Sequence, residues 1–441
     1  MNTKPTMKAR ERDAIVAALR AGVVPRLGLQ HIQVGRQREV ASLISDIDRI
    51  AGGGSTCRFV IGEFGAGKTF FLFLVRQIAL QRKLVVMQAD LGPDRRIHAT
   101  GGQARGLFAE LTRGAATRTM PEGNALRSIV ETFIQQTEEA ASGRPIEEAI
   151  KARLADVREM VGGYDFANVV AAYARGYEAG DAGLQDAALR WLRGEYATRT
   201  DARAELGVRA IIDDATFYDG LRLHARLARL AGFGGLLVCL DELVNLYKLQ
   251  SVQARKQNYE QILRILNDSL QGTTEGIGFV LGGTPEFLLD TRRGLYSYEA
   301  LQSRLAANSF ATGGLVDLSG PVIRLQNLSP EELYHLLERV RSVFAGGDSD
   351  RHLVPDEALQ AFMEHCRSKI GDAYFRTPRS SVRAFADLLA VIEQNPGTAD
   401  WRELLGSVDV SAETAIDSDG TSMADAGDSD GADDELATFR L

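Results

Sequence analysis

Cysteine is scarce in this chain of 441 residues, with three, at positions 57, 239 and 366. They are far apart and show no metal-ligand spacing, so neither a disulfide framework nor a cysteine-built zinc site is expected. Cys57 and Cys239 lie in apolar, strand-like runs, where a reduced thiol behaves as a small hydrophobe. No apolar run reaches the roughly 18 residues of a membrane-crossing helix. The first 22 residues, MNTKPTMKARERDAIVAALRAG, lack the apolar core and small-residue cleavage site of a secretory signal. A cytoplasmic protein with no membrane partner is therefore expected. Basic residues are nearly missing from the end of the chain. From Asp409 to Glu435 there are ten acidic residues and no basic one, and Arg440 is the tail's one cation. The net charge is −8 and the tail alone carries −9, which leaves the rest close to neutral. Overall acidity thus says nothing against nucleic-acid contact through a local patch.

What is present is the composition of a soluble globular protein, 45% hydrophobic and 25% charged. The length suits one large domain with insertions, or two to three ordinary ones. Short apolar, β-favouring runs punctuate the chain: TCRFVIG, LVVMQADL, GLLVCLDEL, IGFVLGGTPEF and VIRLQNL. Helix-period stretches separate them, which predicts an α/β fold with a parallel sheet sandwiched by helices. Residues 8–21 read as an amphipathic helix. Val40, Leu43, Ile44 and Ile47 predict another, starting after Gly35 and stopping at Gly52–Gly54. From about 104 to 231 the pattern is mostly helical and far longer than one crossover helix needs. It reads as a large insertion, either an accessory domain or a thicker helical layer. After VIRLQNL three helices are expected, the first opened by a Ser329/Glu332 capping box. The expected division is a helix and linker over 1–27, an ATPase core over 28–325, an all-helical C-terminal lid over 326–406 and a tail over 407–441. The tail is too poor in large apolar residues to offset its ordering entropy, so it is expected to be disordered.

The residues that carry chemistry begin with Gly62-Glu63-Phe64-Gly65-Ala66-Gly67-Lys68-Thr69, followed by Phe70. This fits G-x-x-x-x-G-K-[ST] in full, with a strand before it and a helix after. Glycines let backbone N–H groups turn around a β-phosphate, and the new helix points its positive end at the anion. Lys68 would reach the β- and γ-phosphates, and Thr69 would offer its hydroxyl to Mg²⁺. LLVCLDE ends in Asp241-Glu242. Carboxylates closing an apolar strand are costly unless they have chemistry to perform. Asp241 would hold Mg²⁺, and Glu242 would polarise the attacking water. ATP and Mg²⁺ are thus the expected cofactors, and hydrolysis the expected reaction. Thr284, at the end of IGFVLGGT, reads as a contact to the γ-phosphate or the water, or as a turn residue before Pro285. Among Arg292, Arg293 and Arg304, the last is the first choice for an arginine acting in trans, against the alternative of surface pairing. Arg379, in Thr377-Pro378-Arg379, would reach back as a sensing cation, with Arg376 and Arg383 as competitors. The basic stretch DRRIHATGGQAR, with His98, reads either as a contact to nucleic acid or a neighbouring subunit, or as a loop of solvated charges.

These pieces in this order resemble an AAA+ ATPase over about residues 28–396. Val34-Gly35-Arg36-Gln37-Arg38-Glu39 resembles the V-G-R-x-x-E segment of origin-recognition-like and STAND-type relatives. That likeness implies a place beside the adenine for Val34, Gly35 and Arg36. Such origin-recognition relatives usually carry a winged helix after the lid. Here an acidic tail follows, which weakens the carry-over of their DNA binding. A closer resemblance lies in HIQVGRQREV, FVIGEFGAGKTFFL, ADLGPDRRIHATGGQARGLF, LDELVNLYK and RRGLYSYEALQSRLAANSF. These strings are similar to the BREX-type ATP-binding family of bacterial anti-phage systems. The resemblance implies a cytosolic ATPase with self-association, DNA and a helicase-like protein as candidate partners. An alternative is a slowly hydrolysing nucleotide switch or scaffold that recruits an effector. A small-molecule kinase is a third reading, without a visible acceptor site.

Overall fold

The computed structural model describes residues 7–141, 143–311, 315–408 and 410. Five strands form one sheet: β1 (Ser55–Gly62), β2 (Val85–Asp90), β3 (Leu236–Asp241), β4 (Ile277–Gly283) and β5 (Val322–Leu325). All neighbours run parallel, in the order β2-β3-β4-β1-β5. Every residue of β1, β3 and β4 is buried. That explains why these runs are continuously apolar rather than alternating. Side chains still alternate between the two faces, at the strand period of two. Val60, Val86, Leu237, Cys239 and Val280 pack with Leu43, Ile47, Phe71 and Val75, from the helices Gln37–Ala51 and Lys68–Gln81. Phe59, Val85, Met87, Val238, Leu240, Phe279 and Leu281 pack on the opposite face.

That opposite face is covered by the long helical stretch between β2 and β3. Phe108, Phe133, Phe166, Tyr173, Trp191 and Phe217 share one continuous cluster with the sheet residues. The stretch thus packs on the sheet as a helical layer with a shared core. His224 is fully enclosed there between Phe108 and Phe166, and burial pushes its pKa down to about 4.

The helices after β5 have a core of their own, built on Leu333, Leu337, Phe362, Phe385 and Leu389. The capping box is formed: Ser329 Oγ accepts from Glu332 N at 3.2 Å, and Glu332 Oε2 accepts from Ser329 N at 3.0 Å. Both ends of the described chain pack on this core. The helix Ala9–Arg20 docks on this cluster through Ile15, and Ile32 of the short helix Leu29–Ile32 joins it too. Arg12 Nε also donates to the Phe344 carbonyl at 3.1 Å, and Arg20 pairs with Asp387 at 2.9 Å. A further helix, Trp401–Ser407, follows the expected three, and the chain stays docked beyond it. The Val408 carbonyl lies 2.9 Å from His365 Nε2, and Val410 is buried. Residues 411–441, the bulk of the acidic tail, lie outside the described residues. Among those described, no helix is long and apolar enough to cross a membrane.

Candidate nucleotide site

β1 ends at Gly62, and the helix Lys68–Gln81 begins after only five intervening residues. Gly65 and Gly67 make that reversal with φ of +80° and +75°, a region open to glycine. Lys68 Nζ donates to the carbonyls of Gly62 at 2.7 Å and Glu63 at 2.8 Å, so the ammonium sits within the curve of the loop. Burial pulls its pKa down, while the carboxylates of Asp241, Glu242 and Glu286 pull it up. The loop, both strand-end carboxylates and the helix after β4 therefore face one another.

Asp241 is buried at the tip of β3. Its Oδ2 accepts from Thr69 Oγ1 at 3.1 Å and its Oδ1 from Glu242 N at 2.9 Å. Thr69 and Asp241 are 172 positions apart in sequence, and the fold brings them into direct contact. β4 stands between β1 and β3, and its Gly282 makes the space: a Cβ there would lie 2.3 Å from Asp241 Oδ1. Glu242 has φ of +57°, rare for a residue with a side chain and a mark of strain at functional sites. The residue is exposed. Desolvation and the neighbouring Asp241, then Asp90, raise its pKa against the pull of Lys68 and Lys248.

Asp90 and Glu286 were missed from sequence. Asp90 closes β2 and pairs in register with Asp241. Burial and Asp241 raise its pKa too. The available signal was the acidic end of LVVMQAD, the same pattern as LLVCLD one strand over.

The other candidates fall in different places. Thr284 follows Gly283, which pairs with Ile61. It sits beside the loop, and its hydroxyl caps the helix Pro285–Leu289 by accepting from Phe287 N at 3.4 Å. Arg304 is engaged within its own chain, donating to Asn267 Oδ1 at 2.6 Å and the Ala300 carbonyl at 2.7 Å. Arg293 reaches the carbonyls of Tyr247 and Leu249, and Arg292 is exposed. Arg379 donates from Nε to the Gly22 carbonyl at 2.5 Å, which ties it to the N-terminal segment. Its competitor Arg376 lines the cleft instead. This cleft of about 270 Å³ lies between the sheet and the C-terminal helices, bordered by Gly62, Glu63, Arg324, Asn327 and Arg376.

Arg36, itself at φ +58°, donates to the carbonyls of Ala66 and Gln326. Its guanidinium is thus spent on bracing the loop and the start of the C-terminal helices. Val34 and Gly35 precede it in the same half-buried turn, and a Cβ on Gly35 would lie 2.3 Å from Glu332 Oε1. Glu63 Oε2 accepts from Asn327 at 2.8 Å, Phe64 is half exposed, and Phe70 packs against the C-terminal cluster.

The donor set suits a hard cation. Thr69 and Asp241 present adjoining oxygens, and Mg²⁺ is usually held by one or two carboxylates together with substrate phosphates. Among the described residues, no group of three or more His, Cys, Asp or Glu side chains could hold a metal by itself.

A parallel sheet whose first strand hands a glycine loop to a helix start, with a strand-end Asp against that helix's Thr, defines a P-loop nucleotide-binding protein. The family model described as BREX system ATP-binding protein BrxC/D matches residues 7–409, and the chain belongs to that family. A comparison with curated proteins found no match.

Proposed function

We propose that this chain is a Mg²⁺-dependent ATPase of the AAA+ kind that serves a bacterial BREX anti-phage system, working on or with DNA and a helicase-like partner. The observation that carries the reading is the contact of Thr69 with Asp241, next to a Glu242 held in a left-handed turn. The sheet order and the separate helical cluster after β5, read as a lid, support the AAA+ part of it.

In this reading the backbone N–H groups of residues 63–69 cradle the β-phosphate at the helix start. Lys68 spans the β- and γ-phosphates. Thr69 and Asp241 hold Mg²⁺, which would offset phosphate charge as it develops. Glu242 orients the water and takes its proton. A raised pKa suits it to that role, because a base works best with a pKa near the working pH. Arg376, across the cleft from the loop, supplies positive charge from the lid.

The test is steady-state ATP hydrolysis, alone and with single- or double-stranded DNA, beside Glu242→Gln. General-base catalysis contributes about 10²–10⁴-fold, so the variant should lose hydrolysis on that scale while still binding ATP. Hydrolysis raised by DNA and lost in Glu242→Gln supports the DNA-linked ATPase. Tight binding without turnover under every condition would sink it and favour a nucleotide switch that recruits an effector.

A further inference from the structure

We infer that the loop 91–102, between β2 and the helix Gln103–Arg113, is where this chain grips a nucleic-acid phosphate backbone, and that it reports the contact to Asp241. The inference rests on the DNA-linked reading above and names the surface.

The loop is held more firmly than a spacer requires. Asn258, fully buried, accepts from the His98 N–H at 2.9 Å and donates to the His98 carbonyl at 3.0 Å. Asp214 accepts from the N–H groups of Gly102 at 2.7 Å and Arg105 at 2.8 Å. Gly92 and Arg95 bond each other's backbone in an antiparallel bridge. Two elements distant in sequence, together with a bridge inside the loop, thus fix the shape of one short segment.

The loop carries two arginines and His98 beside one exposed carboxylate, Asp94. Arg95 Nε, Arg96 Nε and His98 Nδ1 are sealed from solvent with no hydrogen-bond partner. Arg95 has loose ion pairs to Asp94 at 3.7 Å and Glu110 at 3.9 Å, and its charge also acts on Asp90. The half-buried Arg96 guanidinium has no side-chain partner among the described residues. An arginine kept this way is costly unless an acceptor arrives. Phosphate suits the planar guanidinium fork. The apolar side chains of Leu91 and Ile97 are buried, so neither is offered to a protein partner.

The loop also joins the reaction site through backbone. The Leu91 N–H donates to the Asp241 carbonyl at 3.0 Å, and Asn245 Nδ2 donates to the Leu91 carbonyl at 2.8 Å. Any shift of the loop under load is felt at the Asp241-Glu242 turn.

The experiment uses the full chain carrying Arg95→Ala with Arg96→Ala. Binding of single- and double-stranded DNA oligonucleotides is followed by fluorescence anisotropy over a salt series, with ATP hydrolysis measured with and without DNA. Basal hydrolysis and the melting midpoint should stay at wild-type values. DNA affinity should fall at least about tenfold, and the slope of log affinity against log salt should shrink by about 2. DNA stimulation should vanish, and the Arg95→Lys, Arg96→Lys pair should recover most of the affinity. Equal DNA affinity of wild type and the alanine variant overturns this inference and leaves the DNA-linked reading standing. A wild type that binds no nucleic acid sinks both. Competition by poly-glutamate as strong as by DNA would make the partner an acidic protein and also overturn the assignment.

Discussion

Replacing Gly282 with Ala isolates the role of one glycine that no motif marks. The added Cβ would lie 2.3 Å from Asp241 Oδ1, 3.1 Å from Asp241 Cγ and 3.2 Å from Leu72 Cδ1. Carbon contacts settle near 3.5–4.0 Å, so the carboxylate must retreat by about 1 Å. It cannot do so and keep both its bonds, to Thr69 Oγ1 and to the Glu242 N–H. A misplacement of about 1 Å in a reacting constellation costs about 10²-fold in rate, or about 2.7 kcal/mol of barrier. Gly282 lies in β4 without a positive φ, so its backbone accepts alanine and the damage stays local. The assay is steady-state ATP hydrolysis, with binding of a fluorescent ATP analogue measured with and without Mg²⁺. We expect a kcat lowered about 100-fold and a weakened Mg²⁺ dependence of binding. Gly283→Ala is the control: its Cβ meets the Phe287 ring and Ile61, not Asp241. Wild-type kcat with unchanged Mg²⁺ dependence in Gly282→Ala would refute the reasoning.

Three further outcomes are expected. Glu242 must be ionised to act as base, so hydrolysis falls as pH drops through its raised pKa. Asp90→Asn removes one of the charges that raise it and should move the acid limb of the pH–rate profile to lower pH; an unmoved limb would uncouple the two residues. Asp46 and Arg58 form a buried pair at 2.6 Å, and Arg58 also serves the carbonyls of Leu318, Ser319 and Gly320. Asp46→Ala should therefore lower the unfolding free energy by about 3–5 kcal/mol in urea titrations, and a loss under about 1 kcal/mol would show that the carbonyls alone satisfy the guanidinium. Arg376→Ala should weaken ATP binding or hydrolysis about tenfold, on the scale of one charged hydrogen bond, with Arg379→Ala close to wild type; the reverse order would return the sensing role to Arg379.

The strands were legible because a doubly covered parallel sheet demands continuous apolar runs, and helices of other period flank each one. The glycine loop and Asp241 were legible because each is a local pattern, a glycine-rich turn between strand and helix and an apolar strand that ends in acid. What stayed hidden depends on contacts distant in sequence. Gly282 looks like any strand glycine until β4 is placed between β1 and β3. Asp90 gains its meaning from register with Asp241, and register is not written in either segment alone. The Pro-Arg helix start favours Arg379 in the sequence, with Arg376 a competitor three residues before it. Only the docking of residues 9–22 on the C-terminal helices engages Arg379 and leaves Arg376 at the cleft. The helix Trp401–Ser407 escaped because its short run merges into the polar tail, and packing rather than periodicity holds it.

The middle of the glycine loop shows how a local motif and a distant element constrain each other. The pattern G-x-x-x-x-G-K-[ST] leaves position 65 open, and many residues satisfy it. In this chain Gly65 has φ of +80°, and a Cβ there would come within 3.0 Å of Thr377 Cγ2, 3.1 Å of Thr377 Cα and 3.2 Å of the Arg376 carbonyl. The C-terminal helices therefore rest on the loop through backbone, where a side chain cannot swing away. Gly35 makes the matching contact on the other side, against Glu332, whose carboxylate is already committed to its capping box. Arg36 then joins the Ala66 and Gln326 carbonyls across the two elements. Loop shape and helix seating are one mechanical unit, so a phosphate bound in the loop would be felt by the C-terminal helices. That contact, more than the loop alone, is what would let a nucleotide-binding sheet act on a partner.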